Sequence, residues 1–157
     1  MHQRSQLPEP TSCDACGHDH VQFVNHRVVY GKERGNWPYI WLCGSCGALV
    51  ACHEGSRNPK GFMCDRETGK LRQEAHRVFD KIWKRYMYCA RVHAYASLAA
   101  SMNIKFEDCH IGQFNAEQCE FVIEWSKERL KLYKSKKKQK AVYRGGKKRH
   151  IKDKGSW

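Results

Sequence analysis

The sequence predicts an α+β fold in which a cysteine-rich block of short antiparallel strands packs on about three helices and is followed by a basic C-terminal arm. Three observations carry that expectation. Cysteines come in two C-x2-C-G pairs near the N-terminus, apolar residues change from strand-like to helical spacing near residue 66, and almost all the net charge sits at the C-terminus.

Each element has its own signal. Residues 1–12, with Pro8 and Pro10 and no periodicity, read as a disordered leader. Residues 13–56 form the cysteine-rich block. Within it QFVNHRVVY (22–30), PYIWLC (38–43) and ALVAC (48–52) are rich in β-branched and aromatic residues and are expected as strands. GKERGN (31–36) suits the loop of a hairpin, and EGSRNPKG (54–61) is a loop by composition. Residues 57–126 form the helical part. Leu71, Ala75, Val78, Phe79, Ile82, Trp83 and Tyr86 recur at helical spacing behind a start near Arg66–Thr68. Val92, Tyr95, Leu98, Ala99 and Met102 mark a second, shorter helix. Asn115, with Gln118 three residues on, caps a third whose stripe is Cys119, Val122, Ile123, Leu130 and Tyr133. Residues 127–157 extend that helix into the arm.

Composition narrows the class. The chain has 157 residues, 41% of them hydrophobic, which is enough for a small core that a bound metal would help to stabilise. No apolar run is long enough to cross a membrane, and the N-terminus lacks the apolar stretch of a signal peptide. The expected location is therefore the cytoplasm. Nine cysteines, an odd number without a secretion signal, argue for metal ligation over disulfides.

Cys13-Asp-Ala-Cys16-Gly17 and Cys43-Gly-Ser-Cys46-Gly47 are separated by 26 residues, which the expected hairpin absorbs. Two residues between ligands let both sulfurs of a pair reach one ion, and a glycine after the second lets the chain turn with φ > 0. Four thiolates complete a closed tetrahedral site, so the expected cofactor is one structural zinc ion and the block a zinc ribbon. An iron–sulfur cluster is the lesser alternative. His18 and His20 are expected beside the site and not as ligands. Cys52-His53, Cys64 and Cys109-His110 match no tight ligand spacing; a second site there is the weaker reading, with burial as small hydrophobes preferred. Cys89 and Cys119 fall in helices and read the same way.

The charge of +13 is unevenly spread: residues 1–126 hold 15 Lys and Arg against 14 acids, and residues 127–157 hold 14 against two. Such a run repels itself and is expected to stay extended in water until phosphates relieve it. Nucleic acid, DNA or RNA, is the expected partner, contacted by Lys134, Lys136, Lys137, Lys138, Lys140, Arg144, Lys147, Lys148, Arg149 and Lys152, with Tyr133, Tyr143 and Trp157 placed to stack on bases. An acidic protein surface or mere solvation are the alternatives. Trp37, Tyr39 and Trp41 alternate along one strand and face one side, where packing onto the helical part is favoured over a platform for a partner. His53, His76, Asp80 and His110 are the side chains an active site would draw on. No nucleophile elbow, phosphate loop or paired-carboxylate pattern accompanies them, so no enzymatic activity is expected.

Several segments together, CDACGH (13–18), VVYG (28–31), WPYIWLCGSCGALVACHEGSR (37–57), AHRVFDKIW (75–83) and HIGQFNAEQCEFVI (110–123), resemble the zinc-finger-containing domain family of bacteriophages and prophages. The likeness spans about residues 13–125 and implies a virus-encoded protein of the bacterial cytoplasm with zinc at Cys13, Cys16, Cys43 and Cys46. It implies no activity. KRYMYCARV (84–92) departs from the family pattern, so the first two helices are expected to run close together or merge, and the arm lies outside the likeness. A nucleic-acid-binding accessory protein is the expected function. The alternative is an interaction protein that grips a host machine, such as RNA polymerase or the ribosome, through the ribbon.

Overall fold

A computed structural model describes the backbone of residues 6–85 and 89–150, and the side chains of residues 6–84 and 89–136. Strands β1 (Val21–Asn25), β2 (Tyr39–Cys43) and β3 (Leu49–Ala51) form one antiparallel sheet in the order β1-β2-β3. Phe23 pairs with Trp41 and Trp41 with Val50, so period-two alternation puts Val21, Phe23, Trp41, Cys43 and Val50 on one face. With Cys13, Ala48, Cys52 and Met63 these side chains make the ribbon's own small core.

Two expectations for this block need correction. The segment 22–30 is a strand only to Asn25. Its end, RVVY, forms the short helix α1 (Arg27–Tyr30), closed by Gly31 at φ 70°. The Asn25 carboxamide oxygen accepts the Arg27 amide at 2.9 Å, a side-chain turn that outweighs the strand propensity of the two valines. The Trp37–Tyr39–Trp41 face, moreover, packs on the ribbon itself and not on the helices. Residues 53–59 fold back across it, and the indole N–H groups of Trp37 and Trp41 donate to the carbonyls of Ser56 (2.9 Å) and Arg57 (2.7 Å). The Arg57 guanidinium then lies 4.7 Å from the Phe23 ring centroid and 5.1 Å from that of Trp41.

Helices α2 (Arg66–Asp80), α3 (Arg91–Met102) and α4 (Ala116–His150) make the second layer. Asp65 begins α2: its carboxylate accepts the amides of Glu67 and Thr68, both at 2.8 Å, and the Thr68 hydroxyl at 2.7 Å. Donation from Thr68, above all, holds the Asp65 carboxyl below the usual carboxylate range. Its contribution is therefore complete above that range and is lost as pH falls through the depressed value. Asp65→Ala is expected to cost about 1 kcal/mol in a urea melt at neutral pH. Asn115 and Gln118 make the reciprocal box at the start of α4, at 2.8 and 3.0 Å.

The core between the helices holds Ala75, Val78, Phe79 and Ile82 of the first, Ala94, Leu98 and Ala99 of the second, and Cys119, Val122, Ile123 and Leu130 of the third. Val92, expected in the second stripe, lies at the edge of that face and is 53% exposed. The first two helices do not merge. A π-helical turn (Lys81–Arg85) prolongs α2, where Asp80 accepts from the Trp83 indole and the Lys84 ammonium, and Ala90 is extended at φ −65°, ψ 150° ahead of α3. Asn103, left-handed at φ 54°, closes α3.

Ribbon and helices meet at residues 61–64. Leu49 and Cys64 bridge as strand partners, and the Phe62 amide donates to the Gly112 carbonyl at 3.1 Å. Arg72 of α2 ties the same junction, donating to the carbonyls of Phe114 (2.7 Å) and Phe62 (2.6 Å). The arm also departs from expectation, since α4 continues as helix to His150. Lys, Arg, Gln, Leu and Ala are good helix formers, and the packed first half supplies the nucleus that an isolated cationic segment would lack. Like-charge repulsion of about 0.2–0.5 kcal/mol per pair is not enough to undo that. No helix among the described residues is long and apolar enough to cross a membrane.

Candidate metal centre

Both cysteine pairs are built on the same turn. Gly17 donates its amide to the Cys13 carbonyl at 2.8 Å and Gly47 to the Cys43 carbonyl at 2.9 Å, with φ of 77° and 75° at the two glycines. Only a residue without a Cβ takes that conformation cheaply, which is why each pair reads C-x2-C-G. Cys13 lies ahead of β1, where its amide donates to the His18 carbonyl; Cys43 ends β2, where its amide donates to the Ala48 carbonyl. Sheet pairing of β1 with β2 then brings the two turns face to face.

The four sulfurs gather in one cluster, Cys13 and Cys43 buried, Cys16 and Cys46 at the surface. Cys13 Sγ is 3.7 Å from Cys46 Sγ, and Cys16 Sγ is 3.6 Å from Cys43 Sγ. A tetrahedron of thiolates at about 2.3 Å from zinc has edges of about 3.8 Å. The donor set and its spacing therefore fit one structural zinc ion. Four protein ligands leave no coordination position for water or substrate, so the ion's part is to hold the ribbon closed.

The electrostatics show why a cation belongs there. Amides of Cys46 and then Ser45 point at the Cys43 sulfur and lower its pKa to about 6, against the resistance of burial. At Cys16 the His18 amide favours the thiolate, but burial and the sulfurs of Cys46, Cys43 and Cys13 outweigh it and push the pKa up to about 12. Burial likewise raises Cys13. One negative charge is welcome and further ones are not, unless a divalent ion balances them.

The remaining candidates separate cleanly. His20 is not a ligand: its ring lies over Gly44, where an added Cβ would come within 2.7 Å, and its carbonyl accepts the Gly44 amide at 2.8 Å. His18 is exposed and outside the cluster. Cys52 sits in the ribbon core and Cys109 and Cys119 in the helical core, where burial pushes each thiol up to about 11. Among the described residues Cys52, Cys64, Cys109 and His110 form no metal-binding group. His76 and Asp80 share a face of α2, and burial lowers the His76 pKa. Lys134 and Lys136 are exposed on α4. Lys137, Lys138, Lys140, Arg144, Lys147, Lys148 and Arg149 are placed by the helix backbone alone, and Lys152 lies outside the described residues.

Sequence reasoning missed Asp14, between the first two cysteines. Its carboxylate accepts the Met63 amide at 2.7 Å and ties the first turn to the ribbon–helix junction. An acid inside a C-x2-C pair was the available signal. No curated protein and no solved structure matches this chain. A family model described as a zinc-finger-containing domain matches residues 9–129, from the leader's end through the packed part of α4, and the chain belongs to that family.

Proposed function

We propose that this protein binds nucleic acid without catalysis, the zinc ribbon and helices forming a body that orients the cationic end of α4. The observation that carries the reading is the concentration of charge, 14 Lys and Arg against two acids over residues 127–157, of which the twelve cations up to Arg149 lie on the continuous helix α4. Neutralised phosphates release counterions, so a cation row of this density favours a polyanion over water. The family resemblance supports a bacteriophage or prophage origin and action in the bacterial cytoplasm.

The test is binding across a salt series on single-stranded and duplex DNA and RNA, comparing the full chain with residues 1–136. A cut at residue 126 would remove Leu130 and Tyr133 from the core, so the arm is best separated after Lys136. The full chain is expected to bind with a steep salt slope, and the shortened chain roughly 100-fold more weakly at moderate salt. Absence of binding by either chain would reject the reading. A second reading, a ribbon that grips a host machine such as RNA polymerase or the ribosome, is favoured by the half-buried ladder of Trp37, Tyr39 and Phe23, with centroids 5.0 and 5.2 Å apart. It predicts partner capture that survives loss of the arm and fails on Tyr39→Ala.

A further inference from the structure

Two cations of the near-neutral residues 1–126, Arg77 and Lys81, lie against the first lysines of the basic segment. Helices α2 and α4 pack side by side, and an open groove of about 290 Å³ runs between them. Arg77 and Lys81 line one wall, Lys127, Lys131 and Lys134 the other, and Glu74 is the single acid in the lining. The cations recur at i, i+4 from α2 into the π-helical turn that prolongs it, and at i, i+4, i+7 on α4, so each helix turns its row toward the groove. Glu74 is held by Arg77 at 2.5 Å and Lys127 by Glu124 at 2.6 Å. The Glu74 carboxyl is kept below its usual range by Arg77 first, then by Lys81 on its own wall and Lys127 from across the groove. The floor is apolar, formed by Val78 and Leu130.

Two cation rows facing each other over an apolar floor, with Glu74 as the one acid in the lining, concentrate positive potential in the groove. We infer that the α2–α4 groove is a second nucleic-acid site, taking the phosphodiester backbone with phosphates on the rims and sugar over the floor. This rests on the proposed nucleic-acid function and deepens it. A strand leaving the groove past Lys134 meets the same face of α4 one turn later, at residue 138, so groove and arm form one track. Because the groove sits on two packed helices, it fixes the register that the arm alone leaves open.

The experiment uses the full chain and labelled single-stranded and duplex oligonucleotides, DNA and RNA, over a salt series. The groove variant is Lys81→Gln with Lys127→Gln and Lys131→Gln. The control removes equal charge elsewhere, at Lys32→Gln, Lys60→Gln and Lys105→Gln. Zinc content and melting temperature verify the fold, and Lys127→Gln with Lys131→Gln, both exposed, serves if Lys81 proves structural. The salt slope of the groove variant should fall by about 2–3 and its affinity by at least tenfold on every substrate, with the control little changed. An unchanged slope, or an equal loss in the control, would overturn the groove while leaving nucleic-acid binding intact. Failure of the unaltered chain to bind any of these oligonucleotides would overturn both.

Discussion

Serine at Cys13, Cys16, Cys43 or Cys46 is expected to drop zinc from one equivalent to almost none and to melt the ribbon. The ribbon core is small and contains two of the ligands, Cys13 and Cys43, so it has little to hold it once the ion leaves. Structural zinc contributes about 10 kcal/mol or more in isolated fingers, comparable with the whole stability of a domain. Cys52→Ala, Cys109→Ala and Cys119→Ala should keep full zinc, with cavity costs alone. Acid acts in the same direction as the serine variants. Ligation needs thiolates, so metal affinity is full at alkaline pH and falls as pH drops and protons compete. Metal analysis alongside circular dichroism reads both effects. Full zinc with an unaltered melting curve in any of the four serine variants would refute the four-thiolate site.

Gly61→Ala should be the most damaging substitution away from the metal. A Cβ at Gly61 would stand 2.0 Å from the Gly112 carbonyl oxygen and 2.6 Å from its carbon, both backbone atoms that no rotamer change can move. Relief requires separating residues 60–62 from residue 112, which breaks the Phe62-to-Gly112 hydrogen bond and disturbs the Arg72 contacts at Phe62 and Phe114. A loss of about 3 kcal/mol or more is expected in urea melts, with zinc retained. The converse substitution, Gly112→Ala, meets the Lys60 carbonyl at 2.9 Å and should cost less. A Gly61→Ala chain as stable as the parent would mean that the two backbones do not cross this closely.

What could be read beforehand depended on whether the cause was local. Each C-x2-C-G turn is determined within five residues, and Asn115 with Gln118 closes its box within four, so spacing alone reveals them. The Gly61–Gly112 crossing joins segments about fifty residues apart, and neither glycine has a positive φ to mark it. The tryptophan face was assigned to the wrong neighbour for a similar reason: Trp37 and Trp41 need acceptors for their indole N–H groups, and the loop carbonyls of Ser56 and Arg57 supply them. The cationic groove was hidden because nothing local in the sequence sets Arg77 and Lys81 opposite Lys127, Lys131 and Lys134, about fifty residues away. Helix in the arm was missed because repulsion was weighed without the nucleus that the packed half of α4 provides.

The Asp14 carboxylate gives the ion an influence beyond its ligands. It leaves one cysteine turn to hold the Met63 amide, one residue past Phe62, where Arg72 and Gly112 also take hold. A chain without metal therefore lacks both its ribbon and the clasp that presents residues 61–64 to α2. The clasp thereby links the metal-closed ribbon to the seam on which the helices pack. The helical half, though it holds no ligand, then reports on zinc supply, and a metal-starved cell would accumulate chains open to proteases along that seam.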